Sequence, residues 1–372
     1  MPYVGQSVPR REDERLVQGG GSFVGDIVRP GMAHAAVLRS SHAHARIARL
    51  DTSAARRAPG VLDALTFDDA PLLHRPIPMR MSDRGIMERF LQHPLAHGKV
   101  RYVGDPVAVV LAEDRYRAED ALERIEVEYE ALPVVVDAKT ASGPGAPLLF
   151  EAVGTNVVAS FEIAYGDVDR AMREADLIVR ESFDVQRHTA VPMETRGIVA
   201  EWDAARQVLN VWGMTKVPYW NRGILAEHLG LPGHGVHVFQ IDVGGAFGVR
   251  GELYPEDFLI PLLAMRSHRP VKWVEDRREH LMATNHSRQQ HHEIALALRR
   301  DGTILGLHDR FWNDMGGYVR THGATAPNNT AGYLPGPYRI PNYRVDAVCS
   351  VTNKTPAGTY RGPGRFEANF VR

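Results

Sequence analysis

The sequence predicts an α+β chain of at least two domains, and three observations carry that expectation. Strand-like runs are mixed with short helical segments without the regular spacing of repeated β-α-β units. The turn-rich stretch Ala141-Ser142-Gly143-Pro144-Gly145-Ala146-Pro147 separates two such blocks. The length, 372 residues, leaves room for two or three cores at roughly 100–200 residues per domain. The division expected is an extended arm over 1–30, a first domain over 31–138, a linker over 139–154 and a second domain over 155–372.

Residues 1–30 are polar and carry Gly19-Gly20-Gly21. The apolar run 32–38 reads as a strand, and the alternation Ala45-Arg46-Ile47-Ala48-Arg49-Leu50 as another. Asp51, Thr52 and Ser53 cap a short helix that Pro59-Gly60 ends, with a strand over 61–67 beyond it. Residues 68–98 are irregular and long for a loop, so they either serve function or cover a partner. A strand pair over 100–111 breaks at Gly104-Asp105-Pro106; a helix over 115–124 and strands over 125–129 and 132–136 follow.

Beyond the linker, strands are expected at 157–164, 177–185, 191–202, 208–212, 271–274 and 345–351. Helices are expected at 167–175, 219–229 and 258–267, and a hairpin joins 289–298 to 304–313 across Asp301-Gly302. Residues 236–241 read as a buried strand running into the turn Asp242-Val243-Gly244-Gly245-Ala246-Phe247-Gly248. The chain ends at Arg372 inside a helix begun after Arg365, which reads as an element cut short or completed by a partner.

Composition excludes several classes. The formal net charge is -1, so no bulk attraction to nucleic acid or an anionic membrane is expected. No apolar run approaches the ~18 residues of a spanning helix. Arg10-Arg11 is followed by Glu12-Asp13-Glu14 rather than an apolar core, which argues against a twin-arginine signal. The single cysteine, Cys349, rules out a disulfide framework and fits a reducing, cytoplasmic compartment. It also rules out an iron–sulfur cluster ligated within this chain, since such a cluster takes about four thiolates.

Neither a P-loop nor a G-x-S-x-G elbow occurs, and Gly244-Gly245-Ala246-Phe247-Gly248 does not fit the G-x-G-x-x-G dinucleotide fingerprint. His291 and His292 are adjacent, so on a strand they point to opposite faces and make a poor metal site. The run Glu275-Asp276-Arg277-Arg278-Glu279 reads as a solvated face. Two glycine-rich turns remain, 244–248 and 361–365. Their uncovered amides, with Arg361 beside Gly362, suit a phosphate or a polar cofactor.

Several ordered motifs resemble the molybdenum-binding large subunit of the xanthine dehydrogenase/aldehyde oxidase family, in its N-terminal half. Leu38-Arg39-Ser40-Ser41-His42-Ala43-His44-Ala45-Arg46-Ile47, Val100-Arg101-Tyr102-Val103-Gly104-Asp105-Pro106-Val107-Ala108 and Glu128-Tyr129-Glu130-Ala131-Leu132-Pro133 resemble its α/β hammerhead domain. Pro192-Met193-Glu194-Thr195-Arg196-Gly197, 244–248 and Tyr360-Arg361-Gly362-Pro363-Gly364-Arg365 resemble its molybdopterin-binding domain, here apparently incomplete at the C-terminal end.

The resemblance implies hydroxylation of an aldehyde or N-heterocycle with oxygen from water. It implies a molybdopterin cofactor, in the cytosine dinucleotide form, whose dithiolene rather than protein side chains holds the metal. Electrons would leave through 2Fe-2S and FAD groups on an iron–sulfur subunit and an FAD subunit. It places Phe247 and Gly248 beside the molybdenum, the amides of Gly244, Gly245 and Ala246 near the cofactor, and Arg361 and Gly362 on a second wall.

Three departures bear on that expectation. In Thr215-Lys216-Val217-Pro218-Tyr219, Lys216 stands where the family's glutamine donates to the metal's oxo ligand. Gly362-Pro363-Gly364 lacks the cysteine of the carbon monoxide dehydrogenase branch, which argues against a copper–molybdenum site. The family's general-base glutamate lies in the C-terminal half, so that half is an expected partner and this chain alone is expected to be inactive. The alternative is a non-catalytic truncated or scaffold chain.

Overall fold

Four sheets hold the named strands of the described residues, which are 3–81, 83–214 and 216–372 of the computed structural model. The largest has seven strands, in the order Val236–Phe239, Val208–Trp212, Gly197–Asp203, Val271–Val274, Ala33–Arg39, Pro106–Ala112 and Val61–Leu65. Its middle junction is a short parallel pairing of Ala33 with Val271 and His34 with Lys272. One continuous sheet therefore joins strands from both sides of the turn-rich linker. A single core does the same, gathering Ala33, Val37, Leu65 and Val109 with Leu209, Leu225, Phe258 and Leu263.

Helices Pro218–Leu229 and Glu256–Ser267 supply the helical side of that core. Proline at the first position pre-sets the backbone of the former, and Gly230, with φ 68°, ends it in the left-handed region. The latter is apolar on nearly every face and so is almost wholly buried. Its acidic residues, Glu256 and Asp257, sit in the first turn, where the helix dipole favours negative charge. Helix Arg115–Leu122 packs Ala118 on Ala36 and Ala112 of the sheet.

A five-stranded sheet runs Val157–Tyr165, Tyr343–Ser350, Ile304–Asp314, Gln290–Leu298, Leu177–Val185. Within it His292 is fully buried against Asp309 at 2.8 Å, while His291 on the opposite face meets Asp184 at 2.8 Å. Strands Lys99–Val100, Ala45–Asp51 and Glu126–Ala131 form a third sheet, and His286–Ser287 with His188–Thr189 a fourth. The chain is thus α+β, as its residues predict.

Four local expectations differ from the structure. Residues 191–196 are not a strand; Pro192 has no N–H to give a ladder, and the strand begins at Gly197. Residues 132–136 are irregular, with Pro133 in the run and Val135 N donating to Asn353 Oδ1 at 3.0 Å. The arm contains a helix, Asp13–Val17, and a 3₁₀ turn, Val24–Asp26.

The charge run 275–279 is only in part a solvated face: Asp276 and Arg278 are exposed, but Glu275 and Glu279 turn inward. Glu275 is buried and accepts from Arg196 Nη2 at 2.5 Å, Arg196 Nη1 donates to Glu256 at 2.9 Å, and Arg39 binds both Glu256 and Glu279. Burial alone would raise the Glu256 carboxyl, but Arg196 and Arg39 outweigh it and hold it at about 2. Charge runs usually face water; here three carboxylates meet two arginines, Arg39 at the end of one strand and Arg196 just before another, a pairing that sequence spacing does not reveal.

Candidate functional site

The loop 242–251 follows the edge strand Val236–Phe239, in which Val236 is buried but His237 and Phe239 are exposed, unlike the buried strand expected over 236–241. Asp242 is held first. Both of its oxygens accept from the Arg15 guanidinium, at 2.7 and 2.8 Å, and Ser22 N donates to it at 2.8 Å. These bonds keep its carboxyl at about 2. The N-terminal arm therefore fixes one end of the loop.

Glu194 shapes the next turn. Its amide donates to Gly244 O at 3.1 Å, and its Oε2 accepts from Gly244 N and from Arg250 Nη2, each at 2.8 Å. A Cβ on Gly244 would lie 2.4 Å from the Glu194 Cβ, so only glycine allows this approach. The irregular segment 191–196 is thus the template for the glycine turn.

The second glycine turn closes on the first. Arg361 N donates to Phe247 O at 2.7 Å. Gly248 has φ 115°, and a Cβ there would lie 2.8 Å from Thr359 O. Beneath the junction, Glu252 Oε1 accepts from Thr359 N at 2.9 Å and from His322 Nδ1 at 2.6 Å. Arg80 Nη2 lies 2.7 Å from His322 Nε2. A guanidinium only donates, so His322 Nε2 accepts and Nδ1 carries the proton given to Glu252.

Arg288 completes the arrangement. It is buried and donates to the carbonyls of Tyr360, Arg361 and Gly362 and to Glu367. The carbonyls of the second turn are thereby drawn to one side. In the first turn, the amides of Gly245, Ala246, Phe247 and Gly248 have no hydrogen-bond partner among the described residues. Phe247 and Arg288 both adopt positive φ, 49° and 79°, uncommon for residues with side chains and a form of local strain.

The junction therefore presents a row of free amides, one half-exposed aromatic ring and few free acceptors. Such a surface fits an anionic, oxygen-rich group. No group of three or more metal-ligating side chains occurs among the described residues, so a metal held here would depend on a ligand other than protein side chains.

All the residues expected at the site converge on this junction. Gly244, Gly245, Ala246, Phe247 and Gly248 form one turn, and Arg361 and Gly362 form the other. Lys216 lies alongside Gly251, where a Cβ would meet its Nζ at 2.7 Å; it is exposed and unpaired among the described residues. Thr215 lies outside the described residues. Arg15, Glu252 and Arg288 were not legible beforehand. Each acts across 70 or more positions of sequence, and the signal nearest to them is Glu194 within the 192–197 motif. A separate cleft of about 500 Å³, lined by Arg39, Arg115, Lys272, Trp273 and Glu279, lies away from this junction.

Comparison with known proteins assigns the class. Residues 18–133 match the aldehyde oxidase and xanthine dehydrogenase a/b hammerhead domain, and residues 149–372 match the molybdopterin cofactor-binding domain. The chain is 42% identical to the 6-hydroxypseudooxynicotine dehydrogenase complex subunit gamma of Paenarthrobacter nicotinovorans, over 100% of this chain and 47% of that protein. It is 37% identical to the nicotine 6-hydroxylase large subunit of the same organism, over 99% of this chain and 45% of that protein. It superposes on quinoline 2-oxidoreductase from Pseudomonas putida 86 with a TM-score of 0.91 and 36% identity, covering 98% of this chain and 46% of that one. The chain spans about half the length of these relatives. It belongs to the xanthine dehydrogenase/aldehyde oxidase family of molybdopterin-binding large subunits.

Proposed function

We propose that this chain is the N-terminal half of the molybdenum-binding subunit of a molybdenum hydroxylase, which hydroxylates an aldehyde or N-heterocycle with oxygen taken from water. The observation that carries this reading is the junction of the two glycine turns, with its row of free amides opposite carbonyls drawn back by Arg288. The relatives named for nicotine and quinoline support the N-heterocycle branch.

When bound, the molybdopterin cofactor supplies oxygen transfer and two-electron redox chemistry. The chain's own residues hold and orient it. The amides of Gly245, Ala246 and Gly248, free of protein partners among the described residues, would hold its oxygen atoms. Phe247 forms a water-excluding wall, Arg361 and Gly362 form the second wall, and Lys216 is positioned to donate from the rim. The cofactor takes the cytosine dinucleotide form. The general base comes from the C-terminal half of the large subunit, and electrons pass to 2Fe-2S and FAD groups on partner subunits in the cytoplasm.

The test is co-expression of this chain with the C-terminal half of a related large subunit and its iron–sulfur and flavin subunits, followed by molybdenum and released-pterin analysis. Stoichiometric molybdopterin is expected. A correctly folded assembly that carries none would refute the reading and favour a non-catalytic scaffold.

A further inference from the structure

Where the glycine loop ends, a cavity of about 20 Å³ is lined by residues that include Asn221, Arg250, Glu252, Tyr254, Arg196 and Asp257. Three buried side-chain atoms of this lining have no hydrogen-bond partner among the described residues: Asn221 Oδ1, Arg250 Nε and Glu252 Oε2. This chain's own residues bury them, so their enclosure does not depend on the rest of a large subunit. The polar neighbours are engaged elsewhere. Arg196 donates to Glu256, Glu275 and Thr284, Tyr254 Oη donates to Val249 O at 2.8 Å, and Asp257 Oδ2 accepts from Tyr254 N at 2.9 Å.

The three orphaned atoms suit one kind of guest. Arg250 Nε only donates, whereas the oxygens of Asn221 and Glu252 accept. Burial pushes the Glu252 carboxyl up, but its bonds to His322 and Thr359 hold it below its ordinary value, so it is ionised. A halide only accepts and would face two acceptors. A metal cation would face the guanidinium. Water does both, with a lone pair for Arg250 and a hydrogen for each oxygen. The volume also suits one water, which needs about 10–15 Å³ and two to four polar partners.

We propose that a single ordered water, accepting from Arg250 Nε and donating to Asn221 Oδ1 and Glu252 Oε2, is bound here and braces the two glycine turns. Arg250 Nη2 holds Glu194, which shapes the first turn. Glu252 holds Thr359, against which Gly248 lies. Asn221 stands near the start of helix 218–229. The water links these three elements through atoms that make no bond to one another. The inference goes beyond the hydroxylase reading and does not depend on it.

The test uses this chain assembled with the C-terminal half of a related large subunit, whether or not molybdopterin is bound. Crystals that diffract well enough to show ordered solvent are expected to hold one density peak within about 2.5–3.2 Å of all three atoms. Growth with bromide for chloride and rubidium for sodium should give no anomalous signal there. A missing peak, or an anomalous one, overturns the proposal.

Asn221→Leu keeps the side chain's size and removes one acceptor. With the water in place, the thermal midpoint is expected to fall by a few degrees, and the Gly244 and Arg361 amides to exchange severalfold faster. In a dry cavity the same change deletes an unpaired oxygen, so the midpoint holds or rises. A midpoint that holds or rises, or unchanged exchange at both amides, overturns the bracing role. The wild-type density decides the matter even where the variant does not fold.

Discussion

Phe247 and Arg288 hold backbone conformations that side chains disfavour, and both stand where the two glycine turns meet. The contacts around them say what opposes that strain. Arg288 is bonded to three carbonyls and Glu367, with Tyr360 and Phe366 rings each 4.8 Å from its guanidinium carbon. Arg288→Met should leave Glu367 buried without its cation and destabilise the protein by ~3–5 kcal/mol, measured by denaturant unfolding. Gly248→Ala combines a disfavoured φ with a Cβ 2.8 Å from Thr359 O. It should cost about 1–3 kcal/mol and part the two turns, and native-state hydrogen exchange at the Arg361 amide should accelerate. Asp257 titrates in the other direction from Asp242. Burial pushes its carboxyl up to about 7, although Tyr254 N donates to it at 2.9 Å. A raised folded pKa favours the native state below the unfolded value near 3.8, and that advantage is lost as pH rises through about 7. Asp257→Asn should therefore gain stability relative to wild type as pH rises from about 4 to about 7, and hold that gain at higher pH. A thermal-unfolding series in which the difference stays flat with pH would contradict this assignment.

At the scale of elements, the glycine loop is shaped from outside. Its first residue is tied to the arm through Arg15 and Ser22, its middle to the segment 191–196 through Glu194, and its end to the second turn through Arg361. The Arg15–Asp242 contact is exposed and therefore screened by salt. Arg15→Ala should raise hydrogen exchange and protease cleavage within 242–248 while leaving the large core intact. Wild type in high salt should move in the same direction. Protection that stays unchanged in the variant would show that the arm does not restrain the loop. The helix Thr325–Tyr333 has the opposite history: its Pro, Asn, Thr and Gly content has weak helix propensity, and its formation relies on packing. The second turn packs tightly on it, because Asn329 Nδ2 donates to Pro363 O at 3.0 Å and a Cβ on Gly364 would meet Thr330 N at 2.5 Å.

For the whole molecule, the seven-stranded sheet has the most consequence. Strand Ala33–Arg39 is central in it, with Pro106–Ala112 on one side and Val271–Val274 on the other. A fragment of residues 1–138 would expose that strand's edge and the apolar face now covered by helices 218–229 and 256–267. Such a fragment is expected to aggregate or to lack a cooperative thermal transition. A soluble fragment with a sharp transition by circular dichroism would show that the first segment folds without the second. Arg39 adds an ionic link across the same division, since it binds Glu256 and Glu279 of the later segment.

Local signals in the sequence determined much of this protein. Periodicity and turn residues located strands 177–185, 208–212 and 271–274 to the residue, because alternating apolar runs bounded by Gly, Pro or Asp leave the backbone few options. The two glycine turns and the motifs around them were sufficient to indicate the family. Tertiary structure alone decided how those pieces meet: that Gly248 lies against Thr359, that Glu194 templates Gly244, that Arg288 draws back the carbonyls of the second turn, and that Glu275 and Glu279 pair with Arg196 and Arg39. The physical reason is range. Helix and strand signals act over a few residues, whereas a buried ion pair or a close backbone approach joins positions about 50 to 240 apart, and its cost or benefit exists only once the chain has folded around it.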